Sequence, residues 1–141
     1  MGEARQVLDQ MTKCMENHDM EGLADLYAED ATATTPDAGE LNGRDAIVGY
    51  LTGFSVAVPD FRWESFAEHE SGDTAGDEGW VCGTNTGPIE LPDGTVIPAT
   101  GRPVRLRGVD LATVRNGQVV RHNFYFDQME LLTQLGLAPG Q

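Results

Sequence analysis

The 141-residue sequence predicts a single α+β domain covering residues 1–141: three N-terminal helices, a curved antiparallel sheet forming a half-barrel open at one end, and a short C-terminal helix. Three observations carry this expectation. Apolar residues recur at three- and four-residue spacing up to about residue 57. From residue 61 the period becomes two. Asn116-Gly117 then joins two long alternating segments, a strong short-range hairpin signal.

The elements follow in order. Val7, Met11, Cys14, Met15 and His18 form one stripe of a helix from about residue 4 to 18. Asp19 is placed to cap a second, short helix with Leu23, Leu26 and Tyr27 on its inner face. ATATT at 31–35 is rich in β-branched residues and reads as a strand, and 36–43 reads as a loop. A third helix presents Ile47, Tyr50, Leu51 and Phe54 on one side. FRWESFAEH alternates as a strand, SGDTAGDEG is a polar turn region, and WVCGTNTG is a further strand. Residues 88–103 make a Pro-rich excursion, with a small hairpin at Asp93-Gly94. A last helix spans about 128–135 and stops at Gly136.

The Asn-Gly turn implies a register. Arg115 pairs with Gln118, so Thr113 faces Val120, Leu111 faces His122 and Val109 faces Phe124. That face is largely apolar and is expected to line the interior. The opposite face pairs Ala112 with Arg121 and Asp110 with Asn123, and is expected to be wet. A bulge near Gly108 would bring Val104, Leu106, Val109 and Leu111 onto one face.

Composition excludes several classes. With 23 acids against 9 bases the net charge is −14, which argues against nucleic acid and against anionic membrane surfaces. No apolar run approaches the roughly 18 residues of a membrane-spanning helix, and the N-terminus has no apolar leader core. Two isolated cysteines suggest reduced thiols in a cytoplasmic protein. The three histidines are not at metal-ligand spacing, so no metal is expected. Nucleophile-elbow, Walker and dinucleotide-binding motifs are missing from the sequence.

HDMEGLADLYAEDATATTP, NGRDAIVGYL and VPDFRWE resemble the N-terminal half of NTF2-like domains. GTNTG and ATGRPVRLRGVDLATVRNGQVVRHNFYFDQMELLTQLGL resemble the C-terminal half of their SnoaL-like branch, the ester or polyketide cyclases. The resemblance covers essentially the whole chain and implies a cone-shaped pocket closed by the last helix. It also implies cofactor-independent ring closure by intramolecular aldol condensation, on an apolar or aromatic small molecule, and a homodimer or higher homo-oligomer. Asp127 matches the family's acid/base carboxylate by its place in the motif. This sequence has Asn85 where a His is common in the family.

Each candidate also has a structural reading. DQME has the form of a capping box, so a helix cap alone accounts for Asp127, although only a carboxylate can move a proton. His122 is either a hydrogen-bonded core histidine or a partner for Asp127. Tyr50, Trp63, Trp80, Leu111 and Phe124 are candidate substrate-binding walls as well as core residues, and Asn85 is a candidate pocket hydrogen bond. The expected function is general acid/base chemistry, with polyketide-type cyclisation first. Epoxide hydrolysis or ring opening, and a non-catalytic small-molecule-binding module, are the alternatives.

Overall fold

The computed structural model describes residues 2–91 and 93–140. Helices α1 (Glu3–Glu16), α2 (Met20–Asp25) and α3 (Arg44–Ala57) pack on a six-stranded sheet. Its strands are β1 (Tyr27–Thr35), β2 (Gly39–Asn42), β3 (Arg62–Ser71), β4 (Thr74–Thr84), β7 (Pro103–Arg115) and β8 (Gln118–Phe126). The sheet is open and runs β2-β1-β8-β7-β4-β3. It is antiparallel except where β1 meets β8, a parallel pair. A separate ribbon pairs β5 (Ile89–Glu90) with β6 (Val96–Ile97), and α4 (Gln128–Leu135) follows β8. Among the described residues no helix is long and apolar enough to cross a membrane.

The helical stripes bury as expected except at the end of the first, where α1 stops at Glu16 and His18 is exposed beyond it. Val7, Leu8, Met11 and Met15 of α1 join Leu23, Ile47 and the small strand residues Ala31, Ala33, Ala75 and Ala112 in the main core. Tyr27 is fully buried, but it opens β1 instead of closing α2. The segment read as a loop contains β2, whose Gly39–Asn42 pairs back on β1. The supposed polar turn at 71–79 is mostly strand. Gly72 and Asp73 alone form the turn, and Asp77 lies within β4. Asp77 disguised that strand because it is a buried acid, 2% exposed. Its carboxylate takes both terminal nitrogens of Arg5 on α1, at 2.7 and 2.9 Å. Such a two-pronged pair is geometrically specific, and here it ties α1 to the middle of the sheet.

The register of the last hairpin corrects the sequence reading. The turn is as expected, with Arg115 opposite Gln118 and Val114 opposite Val119. Beyond it the register shifts, so that Thr113 faces Arg121, Ala112 faces His122 and Asp110 faces Phe124. Val120 is therefore the extra residue of a bulge on β8. No bulge exists at Gly108, because β7 pairs with β4 without interruption from Pro103 to Thr113. An unbroken strand keeps one parity. Val104, Leu106, Asp110, Ala112 and Val114 thus share the inner face, and Leu111 is turned to the outer one, against Gly76.

α4 docks through its side chains. The amide of Gln134 brackets the backbone of Arg105, accepting from its N–H at 2.9 Å and donating to its carbonyl at 2.8 Å. Gly136 ends the helix in the left-handed region (φ 74°), which glycine adopts without steric cost. Leu131 and Leu135 then lie against the Val81, Val104 and Leu106 cluster.

Candidate active site

A cavity opens between the helices and the inner face of the sheet. Its walls are mainly aromatic and aliphatic: Tyr50 and Phe54 from α3, Phe61 before β3, Trp63 from β3, and Phe124 and Phe126 from β8. Trp63 meets Phe124 edge-on at 6.3 Å between ring centres, and Phe124 leans on Phe126 at 5.5 Å. Leu131 of α4 contributes to the wall.

Few polar groups interrupt this lining. Asp110 and His122 face the cavity from neighbouring strands, and His122 Nε2 is hydrogen-bonded to Asp110 Oδ1. His122 Nδ1 lies 2.7 Å from the phenol oxygen of Tyr27, which is fully buried behind it. Burial, and next the negative charge of Asp110, push the Tyr27 phenol well above its ordinary ionisation range. A second polar group sits on the wall where β1 turns into β2. Asp37 Oδ1 accepts from the hydroxyls of Tyr50 at 2.8 Å and Thr35 at 2.9 Å. Burial and the Asp37 charge raise the Tyr50 phenol as well. The lining thus holds two carboxylates and no lysine or arginine.

Four of the sequence-predicted site residues meet here: His122, Tyr50, Trp63 and Phe124. Four lie elsewhere. Asp127 is exposed at the N-cap of α4, where its carboxylate accepts from Glu130 N at 3.1 Å, and it is not on the cavity wall. Trp80 stacks between the guanidinium groups of Arg105 and Arg107, at 4.5 and 4.9 Å, away from the cavity. Leu111 faces outward by the parity of the unbroken β7, and the bulge at Val120 sets Ala112 opposite His122 in its place. Asn85 is buried, and its amide is fully spent on the chain. It donates to the carbonyls of Ala57 and Gly87 and accepts from the N–H and hydroxyl of Thr100. It clips the long excursion onto the end of α3.

The sequence reading missed Asp110, Asp37 and Tyr27. The signal for Asp110 was present: a lone acid at an even position between Leu106 and Ala112 on an otherwise apolar row. It was obscured by the one-residue error in register. Outside the cavity, Asp9, Glu68 and Asp77 bring acidic oxygens together at a spacing that could suit a cation. Arg5 occupies the middle of that group, 2.8 Å from Asp9 and 2.7 Å from Asp77, so the chain supplies its own positive charge there.

A half-open sheet wrapped over three helices places the chain in the NTF2-like, ketosteroid isomerase-like class of small α+β folds. Within that class the chain belongs to the SnoaL-like family, whose domain matches residues 8–122. Solved structures share the architecture at low identity. One from a Jannaschia species, described as a candidate SnoaL-like polyketide cyclase, superposes with a TM-score of 0.83 at 14% identity, covering 97% of this chain and 94% of that one. IdmH of Streptomyces antibioticus, a candidate polyketide cyclase, gives 0.77 at 23% identity over 96% and 99%. A ketosteroid isomerase-like protein of Catenulispora acidiphila, in complex with trimethylamine, gives 0.74 at 18% identity over 93% and 92%. No curated protein matches the sequence.

Proposed function

We propose that the protein is a cofactor-independent cyclase acting by general acid/base catalysis on an apolar, carbonyl-bearing small molecule, with Asp110 as the proton carrier. The observation that supports this reading is the Asp110–His122 pair in an aromatic cavity. Only Oδ1 of Asp110 is engaged by the described residues, which leaves Oδ2 for a substrate. In an intramolecular aldol closure, Oδ2 takes a proton from a carbon next to a carbonyl. The resulting enolate carbon bonds to a second carbonyl carbon of the same molecule, whose oxygen becomes an alkoxide. Asp110 returns the proton to that alkoxide, so substrate and product are isomers. No electrons leave the substrate, and this chemistry requires neither metal nor cofactor. Tyr50, Trp63 and Phe124 are the proposed walls for a flat ring system. Asp127 serves as a helix cap in this reading. A cytoplasmic homodimer formed through the sheet belongs to the same proposal, with exposed Phe66 and Tyr125 as apolar surface for it.

The test is turnover of linear poly-β-carbonyl aromatics by the wild type and by Asp110→Asn, which keeps the shape but cannot carry the proton. Loss of about 10²–10⁴-fold is the expected result for an acid/base group. Full activity in Asp110→Asn would overturn the mechanism. Tight ligand binding with no turnover by the wild type would favour the non-catalytic binding module.

A further inference from the structure

We propose that Tyr27 is a positioning residue that holds the ring of His122 as its Nε2–H tautomer, and so fixes the direction of the hydrogen bond between His122 and Asp110. The inference rests on reading the Asp110–His122 pair as the proton-handling site. Its geometry stands independently of that reading. Tyr27 is 0% exposed, and its phenol oxygen has a single hydrogen-bond partner among the described residues, His122 Nδ1 at 2.7 Å. A buried hydroxyl that does not donate leaves a polar hydrogen unsatisfied. Nδ1 is the acceptor within reach, so it must be the bare nitrogen. The ring hydrogen then sits on Nε2 and points at Asp110 Oδ1.

The opposite polarity fails at both ends. A hydrogen on Nδ1 would turn the phenol into an acceptor and strand its own O–H. It would also set the bare Nε2 against a carboxylate oxygen, acceptor facing acceptor. The phenol cannot escape by ionising, because burial and the charge of Asp110 raise it well above its ordinary range. The frame is rigid. The Tyr27 carbonyl accepts from Arg44 Nε at 3.0 Å and from Gln118 Nε2 at 3.3 Å, and its ring lies tilted by 33° against the imidazole, 6.0 Å between centres. The titratable groups bonded to the imidazole are Asp110 on β7 and Tyr27 on β1, and Asp37 at the β1–β2 turn shares its cavity.

The consequence concerns where the catalytic proton can go. With the ring hydrogen on Nε2 and Nδ1 accepting from the phenol, both ring nitrogens are engaged. A proton taken by Asp110 Oδ2 stays on the carboxyl until the alkoxide reclaims it. Without the phenol hydrogen, nothing fixes which ring nitrogen carries the hydrogen, and the bond to Asp110 loses its set direction.

The test is nitrogen-15 NMR of the ring nitrogens in protein labelled at its three histidines, with resonances assigned by His18→Gln and His69→Gln. Wild-type His122 should show a neutral ring at neutral pH, with Nε2 protonated and Nδ1 bare. Tyr27→Phe should convert it to a tautomer mixture. It should also lower kcat roughly 10–100-fold with little change in KM, the size of loss seen when a metal-bound histidine loses its orienting partner. A wild-type ring protonated on Nδ1, or a Tyr27→Phe spectrum identical to wild type, would overturn the inference. The wild-type spectrum decides even if Tyr27→Phe does not fold. An inactive wild type with the Nε2–H signature would overturn the cyclase reading and leave this inference standing.

Discussion

Asp110 and His122 meet on the inner face of the sheet because Val120 is bulged out of β8. Asp110 is opposite Phe124 and Ala112 is opposite His122, so the two side chains are diagonal neighbours on one face. Diagonal neighbours on a sheet are within reach for long side chains. A regular ladder would have placed Leu111 across from His122 and turned Asp110 toward solvent.

This register has a direct mutational test. Ala112 is 0% exposed and Leu111 is on the outer face. Ala112→Leu should cost about 1–3 kcal/mol through overpacking. Leu111→Ala should cost less than the roughly 2–5 kcal/mol typical of a core leucine. Urea unfolding of both variants checks this. The reverse ranking would restore the regular ladder and remove Asp110 from the cavity.

The Asp127 cap makes a separate prediction. Asp127→Ala should lower stability by about 0.5–2 kcal/mol, and Asp127→Asn should be close to neutral, since Asn caps as well as Asp. Turnover should survive in both, measured at a temperature below the unfolding of each variant. A selective loss of turnover in Asp127→Asn would return the proton-carrying role to that residue.

Much of the fold could be read from the sequence because it rests on periodicity and turn chemistry. The α1 stripe, the Asp19 and Asp127 caps, the Asn116-Gly117 turn and the Gly136 stop are all local signals. The site was legible only in part. His122, Tyr50, Trp63 and Phe124 lie on the cavity wall, a placement for which residue type and approximate face suffice. Asp110 needed the register, and a bulge that moves one residue leaves no local mark in a sequence such as QVVRHNF. Tyr27 needed the parallel β1–β8 contact, which joins residues 95 positions apart. Asn85 was misread because its partners, on α3 and the 88–103 excursion, come together only in the folded chain.

The Arg5–Asp77 pair should behave as a buried charge pair. Arg5 is 4% exposed and Asp77 2% exposed. Removing Arg5 leaves the Asp77 carboxylate uncompensated, at a cost of about 3–5 kcal/mol. Arg5→Met is expected in that range, Asp77→Leu should cost less because Arg5 keeps Asp9 at 2.8 Å, and the double variant should recover much of the Arg5→Met loss. Additive losses in a chemical-denaturation cycle would show that the two groups are not coupled.

The two shielded phenols, buried Tyr27 and half-buried Tyr50, make stability fall at alkaline pH. Tyr27 and Tyr50 both ionise at higher pH in the folded chain than the ordinary value of about 10. Above that pH the unfolded state loses these protons first and the folded state keeps them, so stability falls as pH rises. Below it neither state ionises and their contribution is intact. Each phenol can steepen the fall by at most about 1.4 kcal/mol per pH unit. Tyr50→Phe should therefore flatten the stability profile above about pH 10 and leave its slope near pH 7 unchanged. An unchanged alkaline slope in that variant would mean that the Tyr50 phenol is not shielded as its place beside Asp37 implies.

The two tryptophans give an optical report on which wall receives a ligand. Trp63 lines the cavity beside Phe124, and Trp80 is held between Arg105 and Arg107 outside it. A flat apolar ketone entering the cavity should displace water from the Trp63 side and quench or shift its emission. Trp80→Phe should keep this response, and Trp63→Phe should abolish it even where binding persists by calorimetry. Because the chain has only these two indoles, the assignment is unambiguous. The described lining carries Asp37 and Asp110 with no lysine or arginine, so the neutral ketone should bind more tightly than its carboxylate analogue, most clearly at low ionic strength. A ligand response that survives in Trp63→Phe would locate the binding site away from the aromatic cavity, and with it the chemistry assigned to Asp110.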